Sequence, residues 1–221
     1  FTVTAGPATI TGGNQLSFTG AGSVSVTASQ AGNSTYAPAT NVTRNFQVTK
    51  ANATVTLTGA TLSQTYTGTS RTVSATTNPS SLPLTITYGG SPTAPINAGS
   101  YAVVATINHA IYQGSANGTL FVSKAAATVT LGPASLLQGY NGTARVVTAT
   151  TSPASLPVTF TYNGSSIAPT NAGSYAVVGT INHTNYQGTA SDTLVVSKAT
   201  ATVTLSNLSQ AFTGGPRPAT I

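Results

Sequence analysis

The chain has 221 residues, only 4% of them charged, and its seven cations against one acid give a formal net charge of +6. Arg44, Lys50, Arg71, Lys124, Arg145, Lys198 and Arg217 lie scattered along the chain. They form neither a cluster nor a stripe interleaved with aromatics, which argues against nucleic-acid binding. Cys and Met are absent, which excludes disulfide staples and thiolate metal sites and leaves little for oxidants to attack, as suits a long-lived extracellular protein.

In chain order, residues 20–50, "GAGSVSVTASQAGNSTYAPATNVTRNFQVTK", align with residues 97–124, "NAGSYAVVATINHAIYQGSANGTLFVSK", once three residues are inserted. Residues 1–49 are therefore read as the back half of a divergent repeat. From Lys50 the chain repeats itself without a gap at an offset of 74 residues. Lys50 falls on Lys124, Tyr66 on Tyr140, Arg71 on Arg145, Tyr88 on Tyr162, His109 on His183 and Tyr112 on Tyr186. Residues 50–123 and 124–197 are two copies of one unit. Residues 198–221 open a further copy with "KATATVTL", in which Gln210, Phe212 and Gly214 correspond to Gln138, Tyr140 and Gly142 after a two-residue deletion.

Within each unit, segments such as "ATVTL", "RTVSATT", "PLTITY", "SYAVVATI" and "GTLFVS" alternate apolar and polar residues and are rich in Val, Ile, Thr and Tyr. That is the signature of half-buried strands. The intervening "YTGTS", "TNPSS" and "YGGSP" supply turn residues, and helix periodicity is missing. Six or seven strands in 74 residues predict an all-β fold of tandem immunoglobulin-like β-sandwich domains. A single Ser-Lys-Ala junction between the last strand of one unit and the first of the next predicts a semi-rigid rod.

The octapeptide "NAGSYAVV" occurs at 97–104 and again at 171–178. Its Tyr101 and Tyr175 stand where a turn becomes a strand, as in a tyrosine corner whose hydroxyl bonds back to the chain, and Gly99 and Gly173 let the chain turn before them. The expected geometry is a buried ring with its hydroxyl on backbone.

The ordered pattern "TTxPxSLPxTxTYxG…NAGSY…INH…YQG…VSKAxATVTL" resembles the MBG repeats, the "mostly β, glycine-rich" immunoglobulin-like modules of large bacterial surface and adhesin-type proteins. The opening residues look like the back half of a related bacterial module. The resemblance implies tandem arrays on a bacterial cell surface, with no catalytic residues, cofactor or metal ligands to carry over.

Calcium sites need several converging carboxylates, and the chain has only Asp192. A spontaneous Lys-Asn crosslink needs a neighbouring buried acid, and residues 50–123 contain none. His109 and His183 have no second ligand or orienting acid near them in sequence and are read as turn residues. "YGGSP" precedes no helix and is no phosphate loop. No run of about 18 apolar residues is present to span a membrane, and any secretion signal is expected outside these residues. Glycan acceptor triplets begin at Asn33, Asn41, Asn52, Asn117, Asn141, Asn163, Asn182 and Asn207.

Two functions compete at this point. One is a non-enzymatic extracellular spacer or tether. The other is a carbohydrate-binding adhesin module with Tyr88, Tyr101, Tyr112 and their copies as sugar platforms. The two partial repeats, 1–49 and 198–221, together make nearly one period. Either 198–221 of one copy completes 1–49 of another in a head-to-tail filament, or the 221 residues are a window onto a longer continuous array.

Overall fold

The computed structural model describes residues 1–206 and 209–218, and the chain divides into two compact units, Phe1–Ala125 and Ala126–Ile221. Strands dominate both, as the alternating sequence expects.

The first unit opens with β1 (Thr2–Ala5), β2 (Ala8–Thr11), β3 (Gln15–Phe18), β4 (Gly22–Gln30) and β5 (Ala39–Val48). β1, β4 and β5 form an antiparallel sheet in that order, and β2 and β3 form a hairpin. The hairpin turns at Gly12 and Gly13, both at positive φ, a backbone region that glycine enters without a Cβ penalty.

A complete repeat follows: β6 (Ala51–Asn52), β7 (Thr54–Leu57), a 3-10 turn at Gly59–Thr61, β8 (Ser63–Thr65), β9 (Ala75–Asn78), β10 (Leu84–Tyr88), β11 (Gly99–Ile107), β12 (Tyr112–Gln113) and β13 (Ser115–Ser123). Its main sheet has the order β10-β11-β13-β8 and its second layer is the antiparallel pair β7-β9, while β6 pairs with β12. β8 joins the main sheet in parallel, with Phe121 opposite Ser63, Val122 opposite Gln64 and Ser123 opposite Thr65.

The second copy repeats this plan. After β14 (Ala125–Ala126) come β15 (Thr128–Leu131), α1 (Pro133–Leu136), β16 (Leu137–Gly139), β17 (Ala149–Ser152), β18 (Val158–Tyr162), β19 (Gly173–Ile181), β20 (Tyr186–Gln187) and β21 (Thr189–Ser197). The main sheet is β16-β21-β19-β18 and the second layer β15-β17.

Period-two alternation explains the core. Along β11, Val103, Ala105 and Ile107 are buried between exposed neighbours, and Leu120 and Val122 of β13 lie on the same inner face. Val55 of β7 and Val73 cover that face. In the second copy Val129, Val147, Val177, Ile181, Leu194 and Val196 do the same. Each fully buried Val or Leu contributes about 1.5–3 kcal/mol.

One feature departs from the expected absence of helix. Pro133–Leu136 makes a single turn, with Pro at its start. The Ser135 hydroxyl donates to the Gly132 carbonyl at 2.7 Å and accepts the Thr148 N–H at 3.0 Å. Thr61 does the same in the first copy, donating to Thr58 O and accepting from Ser74 N. Local side-chain bonds to backbone close this turn, so no apolar 3.6-residue pattern is needed.

Residues 198–206 and 209–218 depart further. The sequence expects the first strands of a repeat there, yet they form no strand beyond a single bridge residue at Ser206, and all are exposed. The physical reason lies in the complete copies, where β8 and β16 exist by pairing with β13 and β21, and β15 by pairing with β17, all later in the same repeat. Asn207 lies outside the described residues.

Two features tie the layers together. Tyr88 is buried at the end of β10, and its hydroxyl accepts the buried Val73 N–H at 2.8 Å; Tyr162 accepts Val147 N–H at 3.0 Å. Gly114 packs its Cα against the backbone at Ala53, and a Cβ there would run into the Ala53 carbonyl; Gly188 stands in the same way against Ala127.

Replacing Tyr88 or Tyr162 by Phe leaves a buried N–H without an acceptor and should cost about 1–3 kcal/mol, read as a lowered denaturation midpoint. Gly114→Ala or Gly188→Ala must displace main chain, so each should cost at least as much. A midpoint unchanged in either glycine variant would show that the close approach is not maintained in solution.

Candidate functional site

The repeated "NAGSY" motif builds a corner at the start of β11 and β19. Tyr88 N–H and Ser91 N–H bond each other's carbonyls to close a turn, and the chain then runs through Pro92 and Pro95 to Asn97. Tyr101 donates its hydroxyl to the Asn97 carbonyl at 2.9 Å, and Tyr175 donates to Asn171 at 3.0 Å. A Cβ at Gly99 would sit 3.2 Å from the Tyr101 hydroxyl and one at Gly173 would sit 3.3 Å from that of Tyr175. Glycine therefore gives each ring its seat. The rings are half-buried rather than buried, because one face lies along the loop at the sheet end. The fully buried tyrosines are Tyr88 and Tyr162, which sequence reasoning grouped with the sugar platforms; a buried ring offers no such surface.

Beside the second corner an open groove of about 500 Å³ is lined by Asn163, Ser165, Ile167, Thr170 and Tyr175. In the first copy Gly89 and Thr93 stand where Asn163 and Ile167 do, so the groove's chemistry is not shared by the repeats. Asn163 already accepts the Ala176 N–H through its side chain at 2.7 Å. These groups hold a loop, and they do not converge on a ligand position.

The histidines sit in turns. His109 Nδ1 accepts the Ile111 N–H at 3.3 Å, His183 Nδ1 accepts the Asn185 N–H at 3.1 Å, and each ring stacks at a tilt on Tyr112 or Tyr186. Lys50 donates to the His109 carbonyl at 2.7 Å. Among the described residues no three of His, Cys, Asp and Glu gather. Arg71 Nε and Arg145 Nε are buried without an acceptor in both copies.

Sequence reasoning missed a glutamine clamp. Gln64 donates its side-chain amide to Thr61 O and Thr72 O, both at 2.7 Å, and Gln138 donates to Ser135 O and Val146 O. The clamp holds β8 or β16 against the segment eight residues on. Its signal was the recurrence of Gln210 in the third, partial copy.

One sheet stands open. In β1-β4-β5, the edge strand β5 is exposed along almost its whole length, including Phe46 and Val42. The register places Gly22 opposite Val48 and Val24 opposite Phe46, as Gly99 lies opposite Val122 and Tyr101 opposite Leu120. β1, β4 and β5 thus correspond to β10, β11 and β13, with no counterparts of β7, β8 and β9 among residues 1–49.

Comparison with known proteins gives similar solved structures and one family. The N-terminal four immunoglobulin domains of Dscam1 isoform 6.9 align at 11% identity over 72% of this chain with a TM-score of 0.31, and the aligned part is 51% of that chain, about half its length. No curated protein matches. The profile of the MBG domain matches twice in succession, at residues 53–126 and 127–200, three residues later than units counted from Lys50. With more than half of its length in those two matches, the chain belongs to the MBG domain family.

Proposed function

We propose that this tandem β-repeat segment is a non-enzymatic, semi-rigid spacer or tether within a long extracellular protein of a bacterial cell surface. The observation that carries the reading is the use made of the polar side chains. In both copies the tyrosine hydroxyls, glutamine amides and histidine nitrogens that are best placed for chemistry are spent on backbone groups of their own repeat. Absence of Cys and Met supports an exposed, oxidising location, and the surface serine, threonine and asparagine residues leave room for glycans.

Small-angle scattering tests the spacer reading. A compact 221-residue domain has a radius of gyration of about 17 Å; the spacer should exceed this clearly, and a value near it would reject the reading. Because one carboxylate cannot build a calcium site, EDTA should change neither the melting temperature nor the radius of gyration. A shift of several degrees would reveal a cation site made from carbonyl oxygens.

A further inference from the structure

We infer that the first complete repeat carries a binding site for a neutral polysaccharide, built by the paired side-chain amides of Asn52 and Gln113 with the hydroxyls of Thr106 and Ser115. The inference goes beyond the spacer reading and does not depend on it.

The site grows out of the strand pairing. β6 runs parallel to β12, which sets Asn52 beside Gln113, and the Gln113 side-chain amide donates to Asn52 Oδ1 at 3.0 Å. Both residues are exposed. After Gly114 the chain enters β13 at Ser115, whose register partner on β11 is Thr106. Gly114 lets the two pairs meet, because its close approach to the Ala53 carbonyl leaves no room for a Cβ. The four polar residues, with Ala53 and Gly114, line an open groove of about 490 Å³.

Elsewhere in this repeat the polar side chains are spent on backbone, as Gln64, Tyr88 and Tyr101 are. Here they are not. The bond between the two amides uses one Gln113 hydrogen and one Asn52 oxygen. Asn52 Nδ2 and Gln113 Oε1 are left over, a donor and an acceptor side by side. Among the described residues nothing bonds the hydroxyls of Thr106 and Ser115, and each can both donate and accept. The second repeat offers a comparison within the same molecule. Thr180, Gln187 and Thr189 stand where Thr106, Gln113 and Ser115 do, but Ala126 replaces Asn52, so the second repeat lacks the amide pair.

The chemistry of the ligand follows by elimination. None of the six residues lining the groove is charged, so nothing there neutralises a phosphate or a carboxylate. A peptide strand would need open main-chain groups, but the Ala53 N–H is bonded to Gln113 O and the Ile107 N–H to Gly114 O, and β11 is paired on both sides. A peptide side chain would need an apolar pocket to anchor it, and only Ala53 and Gly114 are apolar here. What remains is an uncharged ligand that carries donors and acceptors close together, as the hydroxyls of a sugar ring do. The open shape admits a chain of such rings lying across it. No tyrosine lines the groove, so the site is separate from the aromatic platforms weighed from the sequence.

Nitrogen-proton correlation NMR of the 1–221 chain tests this, with hexasaccharides of glucose, N-acetylglucosamine, mannose and galactose as probes and an uncharged glycine-serine hexapeptide beside them. At least one hexasaccharide should shift the side-chain amide signals of Asn52 and Gln113 saturably and leave that of Gln187 in place. Asn52→Ala gives the first repeat the residue that the second has at Ala126, so the fold is kept. It should weaken binding roughly fivefold, as the loss of one neutral hydrogen bond does. Ala126→Asn should bring the Gln187 signal under the influence of the same sugar. Asn52 and Gln113 signals that no hexasaccharide moves overturn the proposal. So does an Asn52→Ala variant that binds as the wild-type chain does, and so does a hexapeptide that shifts the same signals, because the groove would then be a peptide site.

Discussion

The inner face of the three-stranded back half has to be covered, and almost everything else in an MBG repeat follows from that. β10, β11 and β13 bring Tyr88, Val103, Ala105, Ile107, Leu120 and Val122 to one surface. The two-stranded layer β7-β9, together with Val73 from the segment before β9, buries it. A unit of this length buries only roughly 60% of its extended surface, so there is no redundancy. The parallel edge strand β8 and the covering strand β7 lie within a few residues of each other, and one short front segment therefore closes both the edge and the face. In residues 1–49, where no such segment is paired, Val24 is still buried and Phe18 packs on Phe46, but β5 is left exposed.

A chain with so few charges cannot lock such layers with ion pairs, and it uses hydroxyls and amides. Tyr88 spans from β10 to the Val73 N–H, Gln64 spans eight residues to Thr72 O, and the Thr77 hydroxyl takes the Leu82 N–H. Every one of these bonds reappears in the second copy, through Tyr162, Gln138 and Thr151. A neutral hydrogen bond contributes only about 0.5–1.5 kcal/mol net, but an orphaned buried N–H costs more than that. These contacts therefore act mainly by making other arrangements of the layers unfavourable. The same economy explains why the corner tyrosines, His109 and Asn163 offer little to a ligand.

Legibility in the sequence followed the range of the interaction. The tandem repeat and the main strands rest on alternation and on turn residues within a few positions, and these were readable. The hairpin β2-β3 was also within reach, since Gly12 and Gly13 separate two alternating runs, but aligning the opening on the repeat hid it. β8 was not readable: Ser63–Thr65 carries no apolar pattern, and it is a strand only because β13, more than fifty residues later, runs beside it. That Tyr88 is buried while Tyr101 is only half-buried was not readable for the same reason. The Val73 N–H that receives Tyr88 comes from a segment without strand character, fifteen residues upstream.

Residues 198–218 separate these two ranges physically. Their short-range bonds, Gln210 to Pro218 and Arg217 to Thr213, are formed in the absence of any back half. Their strands, which need a partner far away in sequence, are not formed. Local bonding therefore specifies the shape of a front segment, and the back half specifies whether it becomes a sheet. Such a division lets identical short motifs be reused along an array without each having to find its own fold, because the loop from Gln210 to Pro218 needs only its own residues. The apolar residues Val203, Leu205 and Phe212, exposed here, gain burial only when an inner face receives them.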